Sequence, residues 1–389
     1  MNNKVKKKKI DTVYKRLIAL EFIIFIGVFC IFNLIKPDKT FSEEENRNLT
    51  AKPKLTMESI LDGSFSSKYE KYITDQFVFR NLFIGVKSDT ERLIGKKENN
   101  NVYVGEDGYL MEKFKTPEGN KIKDKVDVIN MFSKKFSNIN KYFLLVPNSM
   151  EILKDKLPNN APVDTQLEYM NNVESSLDKG IKFINPYENL AKHKDEYIYY
   201  KTDHHWTTRG AYYGYETLID TMELNKKTAE DFNINKVSNS FYGSLYSKGG
   251  FKHLTPDSIE VYLPKNEVEN VVTYVEENVK KPSVYSVEDL KKKDKYSVFF
   301  NGNHPLIKID TTSDKNRKLL VLKDSYANSL VPFLTEDFNA IYMVDLRYYN
   351  DDVSKIIKDE GITDVLMLYN VNTFSSEESL ANLISIDDN

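Results

Sequence analysis

The sequence is poor in the residues on which disulfide-rich and metal-rich proteins depend. Its 389 residues contain a single cysteine, Cys30, so the chain cannot form an internal disulfide bond. This absence is compatible with export from the cell and also with a cytosolic location, so it does not settle the compartment. Of the five histidines, His193, His253 and His304 stand alone, and the other two are adjacent.

The sequence also lacks internal repeats and a large charge of one sign. The formal net charge is −3, and the one dense basic block lies in residues 1–16, which hold seven Lys and Arg. Nucleic-acid binding normally needs a concentrated basic surface on the folded domain, so no nucleic-acid partner is expected. The apolar fraction of 40% is enough for a sizeable core, and the length predicts one large domain or two ordinary ones.

The longest apolar run follows the basic block directly. Residues 17–35 are mostly apolar and, as a helix, would reach about 28 Å, close to the hydrocarbon thickness of a bilayer. The basic tail at 1–16 is expected to stay in the cytoplasm, which places the chain after Pro37 outside. The run is longer than the apolar region of a cleaved signal peptide, and no small-residue cleavage site follows it. A buried core helix would not need flanking positive charge. The pattern therefore predicts a single-pass anchor in the cell membrane.

The remaining chain has the alternation typical of an α/β protein. Residues 36–56 are polar and interrupted by proline, and they predict an extended linker arm. In the predicted folded domain at 57–389, short apolar runs such as 141–147 alternate with helical patterns, as expected of buried parallel strands. Residues 226–317 interrupt this alternation with β-branched and alternating segments. They predict a β-rich insertion, after which the alternation resumes.

Polar residues follow several predicted strands, at the positions where an open parallel sheet binds its ligands. Ser325 comes directly after the apolar run 319–322 and opens a predicted helix, whose first N–H groups would face the same way. A serine hydroxyl needs a base, and the base needs a carboxylate to orient it. Asp203 and His205 supply this pair in one loop, before a helix that Thr207 is predicted to cap. The three side chains together predict a catalytic triad.

Each of these features also has a less specific explanation. Asp324 and Ser325 are residue types that commonly cap helices. The Asp-His-His cluster resembles a zinc or iron site, although no further ligand at metal-like spacing is evident. Trp206 is expected in the core, where it would support the loop. The residues of this loop therefore leave metal, triad and core interpretations open.

The segment "YYKTDHHWTTRGAYYGYETL" is similar to the defining segment of the DHHW protein family. The blocks "FSEEENRNLTAKPKLT", "LLVPNSMEIL", "FYGSLYSK" and "LLVLKDSYANSLVPFL" resemble further family blocks in the family order. The family is similar to the alginate O-acetylation proteins and, more broadly, to SGNH-type esterases and acetyltransferases. The resemblance implies a three-layer, SGNH-like fold with a flavodoxin-type parallel sheet. Because the histidine loop precedes the serine block, it also implies a circular permutation.

The resemblance assigns roles to individual residues. It implies that Ser325 is the nucleophile, His205 the base and Asp203 its orienting carboxylate. His204 is expected to face substrate or a backbone carbonyl. The chain departs from the family pattern at Lys323, which stands where a glycine is usual before the Asp-Ser pair.

Two further strand ends fall where the family stabilises an oxyanion. The strand end at Arg347 corresponds to the block that supplies an oxyanion amide. The strand end at Tyr369 and Asn370 corresponds to the oxyanion asparagine. No glycine sits at the Arg347 strand end, which is a second departure from the pattern.

The function implied by the resemblance is O-acetylation of a polysaccharide outside the cytoplasm. Acetyl-coenzyme A is not available there, so a multi-span membrane O-acyltransferase is the implied partner that supplies acetyl groups. No metal or cofactor is expected. An acetyl esterase with the same three residues remains an alternative. A non-catalytic polysaccharide-binding scaffold is a second alternative, which the departure at Lys323 keeps open.

Overall fold

In a computed structural model, the structure describes residues 2–42, 44–45, 47–266 and 268–383. The chain divides into an N-terminal unit, Met1–Ile94, and a C-terminal unit, Gly95–Asn389. The elements of the N-terminal unit are α1 (Asn2–Ile35), β1 (Phe41–Ser42), β2 (Arg47–Asn48), α2 (Met57–Leu61), α3 (Ser64–Asp75) and α4 (Arg80–Leu93). The stretch Asp11–Ile35 of α1 is long and apolar enough to cross a membrane, and it contains the predicted span.

The C-terminal unit alternates strands and helices, as the sequence predicts. Its strands are β3 (Glu98–Asn99), β4 (Val102–Val104), β5 (Leu110–Glu112), β6 (Asn140–Val146), β7 (Ile181–Ile184), β8 (Phe232–Phe241), β9 (Asp257–Pro264), β10 (Asn270–Tyr274), β11 (Val279–Lys281), β12 (Leu306–Thr311), β13 (Lys318–Lys323), β14 (Ala340–Val344) and β15 (Asp364–Asn370). Its α-helices are α5 (Lys121–Lys135), α6 (Ser149–Ile152), α7 (Gln166–Ser176), α8 (Tyr187–Lys192), α9 (Thr208–Met222), α10 (Ser244–Gly249), α11 (Ala327–Leu330), α12 (Val353–Glu360) and α13 (Val371–Ser376).

Eight of these strands form one sheet, in the order β11-β10-β12-β14-β13-β15-β6-β7. The five strands from β14 to β7 are parallel, and β12, β10 and β11 continue the sheet in antiparallel fashion. Every residue of β14 and β15 is buried. Since neighbouring side chains point to opposite faces of a strand, the sheet is covered on both faces. The predicted α/β class with a parallel sheet is confirmed.

The strands of the predicted β-rich insertion at 226–317 are divided between two sheets. β8 and β9 pair with each other as a separate two-stranded sheet, whereas β10, β11 and β12 extend the central sheet. The segment is therefore rich in strands, but three of its five strands belong to the main sheet. The antiparallel strands join the parallel part of the sheet through β12, which pairs with the edge strand β14.

Candidate active site

The candidate site lies at the carboxyl edge of the parallel sheet, where β13 and β15 end side by side. Residues 324–326 follow β13, and Asn370 ends β15. The side chain of Asp324 joins the two ends, because its Oδ2 accepts hydrogen bonds from the backbone N–H and the side-chain amide of Asn370, each at 2.7 Å. Its Oδ1 accepts from the N–H of Tyr326 at 2.8 Å, which fixes the turn that carries Ser325.

The DHHW loop reaches the same edge in front of α9. Trp206 is fully buried, as predicted, and its indole N–H donates to the carbonyl of Tyr326 at 3.1 Å. Thr207 caps α9 through a hydrogen bond from the N–H of Gly210, which confirms the predicted cap. Gly214 allows the helix to lie against the loop, since a Cβ there would come within 2.6 Å of the Trp206 ring.

The structure brings Asp203, His205 and Ser325 together. Nδ1 of His205 lies 2.5 Å from Oδ1 of Asp203, and Nε2 of His205 lies 2.7 Å from Oγ of Ser325. An ionised carboxylate only accepts hydrogen bonds, so Nδ1 carries the proton and Nε2 is the acceptor for the serine hydroxyl. This arrangement can deprotonate Ser325.

The protonation states suit this arrangement. Burial, together with the neighbouring His204, lowers the pKa of His205 to about 4, although Asp203 acts in the opposite direction. Burial alone would raise the pKa of Asp203, but the two histidines and the N–H of Ser244 hold that pKa well below its usual range. Near neutral pH the carboxyl group is therefore ionised and His205 is neutral, as a general base must be.

Several residues that hold the triad were not singled out from the sequence. Tyr296 stacks on His205 with ring centroids 3.8 Å apart, and its hydroxyl donates to the carbonyl of Ser325 at 3.0 Å. The N–H of Ser244 donates to Oδ2 of Asp203 at 2.7 Å. Gly243 is needed beside it, because a Cβ there would lie 2.2 Å from that of Asp203. The Gly-Ser pair in "FYGSLYSK" was the available signal for these contacts, whereas one tyrosine among 25 gave none.

The residues predicted at the oxyanion positions all lie near the strand ends, and most of their polar atoms are engaged within the protein. The amide group of Asn370 donates to Asp324 and to Oγ1 of Thr373, each at 2.7 Å, which uses both of its hydrogens. Arg347 forms a two-bond ion pair with Asp345, at 2.8 and 2.6 Å. Tyr369 is buried, and among the described residues its hydroxyl has no hydrogen-bond partner.

Lys323, the departure from the family pattern, is fully buried at the end of β13. Its ammonium group donates to the side-chain oxygens of Asn303 and Asn328, each at 2.9 Å, and lies 3.6 Å from Asp345. Burial lowers the pKa of Lys323 to about 8, and the nearby carboxylate acts against this shift. The Lys323 side chain is therefore buried at the end of β13, and its charge is paired within the protein.

His204 takes a different place from His205. Its ring lies 3.8 Å from the ring of His205, its Nδ1 lies 2.6 Å from Oγ of Ser244, and its side chain is partly exposed. It lines a cavity of about 420 Å³ beside the triad. The other lining residues are mostly polar and include Glu112, Lys113, Phe114, Lys115, Lys248, Asn372, Thr373, Ser375 and Ser376.

The Asp-His-His cluster is also the one metal-like group among the residues that the structure describes. One ligand atom from each of the three side chains lies within 4.8 Å of the others. The Nδ1 atoms of both histidines, however, already have hydrogen-bond partners, in Asp203 and Ser244. Nε2 of His205 is likewise engaged by Ser325, so a metal bound to His205 or to Nδ1 of His204 would have to displace a hydrogen bond, and the geometry favours the hydrogen-bonded arrangement over a metal centre.

The fold and the site define a class: α/β proteins with serine, histidine and aspartate side chains at the carboxyl edge of a parallel sheet. The family follows from the sequence match, because the DHHW protein family model matches residues 100–344. The chain belongs to this family. No curated protein matches the chain.

Three solved structures match this chain over nearly the full length of their own chains. A DHHW family protein from Eubacterium siraeum is 27% identical, with a TM-score of 0.67 over 74% of this chain and 97% of its own. Bacillus cereus PatB1 with a sulfonyl adduct is 25% identical, with a TM-score of 0.62 over 73% and 99%. A second structure of Bacillus cereus PatB1 is 26% identical, with a TM-score of 0.61 over 72% and 98%.

Proposed function

We propose that the protein is an extracytoplasmic polysaccharide O-acetyltransferase that works through an acetylated Ser325. The observation that carries the proposal is the hydrogen-bonded series Asp203, His205 and Ser325, with contacts of 2.5 and 2.7 Å. The similarity to PatB1 adds support. A sulfonyl adduct forms when an activated nucleophile displaces a leaving group from sulfur, which is the reactivity that such a triad confers.

In the first step, Oγ of Ser325 attacks the carbonyl carbon of an acetyl donor while Nε2 of His205 takes the hydroxyl proton. The imidazolium, stabilised by Asp203, then returns this proton to the leaving group, and acetyl-Ser325 remains. Among the described residues, no protein acceptor engages the N–H of Ser325. That N–H is therefore available to stabilise the oxyanion. The side-chain amide of Asn370 could add a second hydrogen bond only by releasing Asp324 or Thr373.

In the second step, His205 deprotonates an acceptor hydroxyl, whose oxygen attacks the acetyl carbonyl carbon; the bond to Oγ of Ser325 then breaks, and the imidazolium returns the proton to Oγ. The cavity beside His204 supports a sugar acceptor, because it is lined by hydroxyl, amide, carboxylate and ammonium groups. The ring of His204 lies between this cavity and His205. Nε2 of His204 is the nitrogen that a bound hydroxyl can use, since Nδ1 is held by Ser244.

The proposal includes a permuted SGNH-like sheet. If the numbering of the five parallel strands began at β13, their spatial order would be 2-1-3-4-5, which is the flavodoxin-type order. Ser325 follows the first strand in that numbering and Asn370 ends the third. These two strands are neighbours at the switch point where ligands bind. This order supports a chain in which the last two strands of the fold, β6 and β7, come first.

The proposed location is the cell membrane, with the basic tail in the cytoplasm and the catalytic unit outside. The length and composition of Asp11–Ile35 support an anchor, and the seven basic residues before the predicted span support its orientation. The anchor would hold the site near a multi-span membrane acyltransferase that supplies acetyl groups from the cytoplasm.

The test compares the acetyl content of the producer's polysaccharide in wild type and Ser325→Ala. Loss of acetylation is expected. Unchanged acetylation would exclude the transferase, and increased acetylation would indicate the esterase. Incubation of the purified protein with an activated acetyl ester, followed by mass spectrometry, should detect acetyl-Ser325. Its absence would favour the non-catalytic scaffold.

A further inference from the structure

The N-terminal unit buries polar side chains and exposes apolar ones. Outside α1, Val78 is the one buried hydrophobic side chain among the described residues of this unit. Asp75, Gln76 and Ser88 are buried instead, and both oxygens of Asp75 accept hydrogen bonds from Arg47. Domains that face water bury apolar side chains and leave charged ones exposed. The reversed distribution indicates that something apolar covers this unit.

Helix α4 has this reversed distribution along its length. Ser88 in its middle is 4% exposed, whereas Leu82 is 62% and Leu93 is 87% exposed. The exposed apolar side chains recur mostly three and four positions apart, so they lie along one side of the helix. We call them the outer stripe, which consists of Phe79, Leu82, Phe83, Val86, Leu93 and Ile94.

Ring contacts with α1 fix the position of this helix. The ring of Phe29 in α1 lies 5.9 Å from that of Phe83 and 6.1 Å from that of Phe77. Phe29 lies six residues before the end of Asp11–Ile35, about 9 Å along the helix axis. If α1 crosses a bilayer, the Phe83 ring lies within about 6 Å of the depth of Phe29, and therefore below the end of the apolar span.

A hydrogen bond supports the same position. Asn33 is a polar residue within the apolar run of α1, and its Oδ1 accepts the backbone N–H of Val78 at 2.8 Å. Away from water, each backbone N–H needs a partner within the protein. Three residues further along, the ammonium group of Lys36 donates to the carbonyl of Gln76 at 2.7 Å. The N–H of Val78 and the carbonyl of Gln76 thus have hydrogen-bond partners in Asn33 and Lys36, where the chain approaches the apolar layer.

We propose that the outer stripe is embedded in the outer leaflet of the lipid bilayer, so that the protein contacts the membrane through α4 as well as α1. The occupant is lipid because the stripe continues the apolar surface of the membrane-spanning segment, and amphipathic helices of this kind lie in the interface. The inference rests on the anchor in the proposed function and is independent of the chemistry at Ser325.

The test measures fluorescence quenching of the full chain in nanodiscs whose lipids carry bromine in mid-acyl chain. Leu82→Trp and Val86→Trp place a fluorophore on the outer stripe. Ile26→Trp, in α1, is the reference within the membrane, and Glu70→Trp, at an exposed charged position of α3, is the matched control. Native Trp206 is buried in the C-terminal unit, and the wild-type emission is subtracted.

Quenching of the outer-stripe variants at least half as strong as that of Ile26→Trp is expected, with little quenching of Glu70→Trp. If Ile26→Trp is quenched but the outer-stripe variants resemble Glu70→Trp, the inference is wrong while the anchor stands. The stripe would then be left for a protein partner. If Ile26→Trp also escapes quenching, α1 does not cross the bilayer, and the anchor and the inference are both wrong.

Discussion

Nε2 of His205 lies 2.7 Å from Oγ of Ser325, although 120 residues separate them in the sequence. Asp203 holds the opposite side of the imidazole at 2.5 Å. Tyr296 stacks on the ring face and also hydrogen-bonds to the backbone of Ser325. The imidazole is therefore fixed relative to the Ser325 hydroxyl by contacts on three sides, which is the geometry that the proposed proton transfer needs.

The two histidines are expected to differ in mutational effect. His205→Ala should reduce hydrolysis of an aryl acetate by about a thousand-fold or more, because the base is lost. His204→Ala should retain most of this hydrolysis but raise the KM for a polysaccharide acceptor, because His204 lines the cavity. Steady-state kinetics with both substrates checks this prediction. If His204→Ala alone lost aryl acetate hydrolysis, His204 would be the base and the assignment of His205 would be wrong.

Activity is expected to depend on pH through His205. The base must be neutral, and its pKa is lowered to about 4, so kcat/KM should rise as pH increases through this value and stay level towards neutral pH. His204→Ala should move the rise to higher pH, because the electrostatic interaction with His204 contributes to the lowered pKa of His205. A pH profile on an aryl acetate tests this. A rise centred near the pKa of free histidine, in the wild type and in His204→Ala alike, contradicts it.

The same shift predicts a change in stability with pH. The folded-state pKa of His205 lies below its unfolded value, so the folded state binds fewer protons between the two values. The contribution of His205 is fully present above the unfolded pKa and is lost as pH falls towards the folded pKa of about 4. Chemical unfolding across this window should show a smaller loss of stability in His205→Gln than in the wild type. Equal losses would exclude His205 as a cause.

Gly243→Ala should impair the reaction without touching a reacting group. The added methyl group would lie 2.2 Å from Cβ of Asp203, so the carboxylate must move away from His205. A displacement of this size is expected to lower kcat by roughly a hundred-fold. Ser244→Ala is the control, because it retains the backbone N–H that binds Asp203. Wild-type kcat in Gly243→Ala would show that the close packing of position 243 against Asp203 does not control the position of the carboxylate.

Lys323→Met should destabilise the fold. The substitution leaves Oδ1 of Asn328 without its buried donor, whereas Oδ1 of Asn303 still accepts from the side-chain amide of Asn328 at 3.2 Å, and it removes the positive charge beside Asp345. These losses should cost about 2–4 kcal/mol of unfolding free energy. Lys355→Met, at an exposed position of α12, is the control and should change stability little. Urea unfolding of both variants checks the difference, and equal stability would mean that the lysine is not needed at the strand end.

Chelation should leave turnover unchanged. Both ring nitrogens of His205 and Nδ1 of His204 are already engaged, by Asp203, Ser325 and Ser244, and the proposed mechanism draws on no metal. The measurement is aryl acetate hydrolysis before and after dialysis against a chelator. Loss of activity that Zn²⁺ restores would favour the metal interpretation of the cluster.

The sequence by itself determined the class of fold, because buried parallel strands appear as continuous apolar runs wherever both faces are covered. It also determined the candidate residues of the triad, since Asp203, His205 and Ser325 follow such runs or precede a capped helix. The apolar run at 17–35 was equally clear, as its length and flanking charge are local properties. Each of these features can be identified from a short stretch of chain.

The sequence favoured His205 over His204, but only the tertiary structure placed the His205 ring against Ser325, because a one-residue change in the turn would exchange the directions of the two side chains. It also decided that Asn370 and Arg347 are engaged by Asp324 and Asp345 at the strand ends, since hydrogen-bond partners far apart in sequence leave no local pattern. The same holds for β10, β11 and β12, whose pairing with the main sheet depends on the open edge of β14. These features depend on contacts between residues far apart in the chain, so they cannot be identified from any short stretch of sequence.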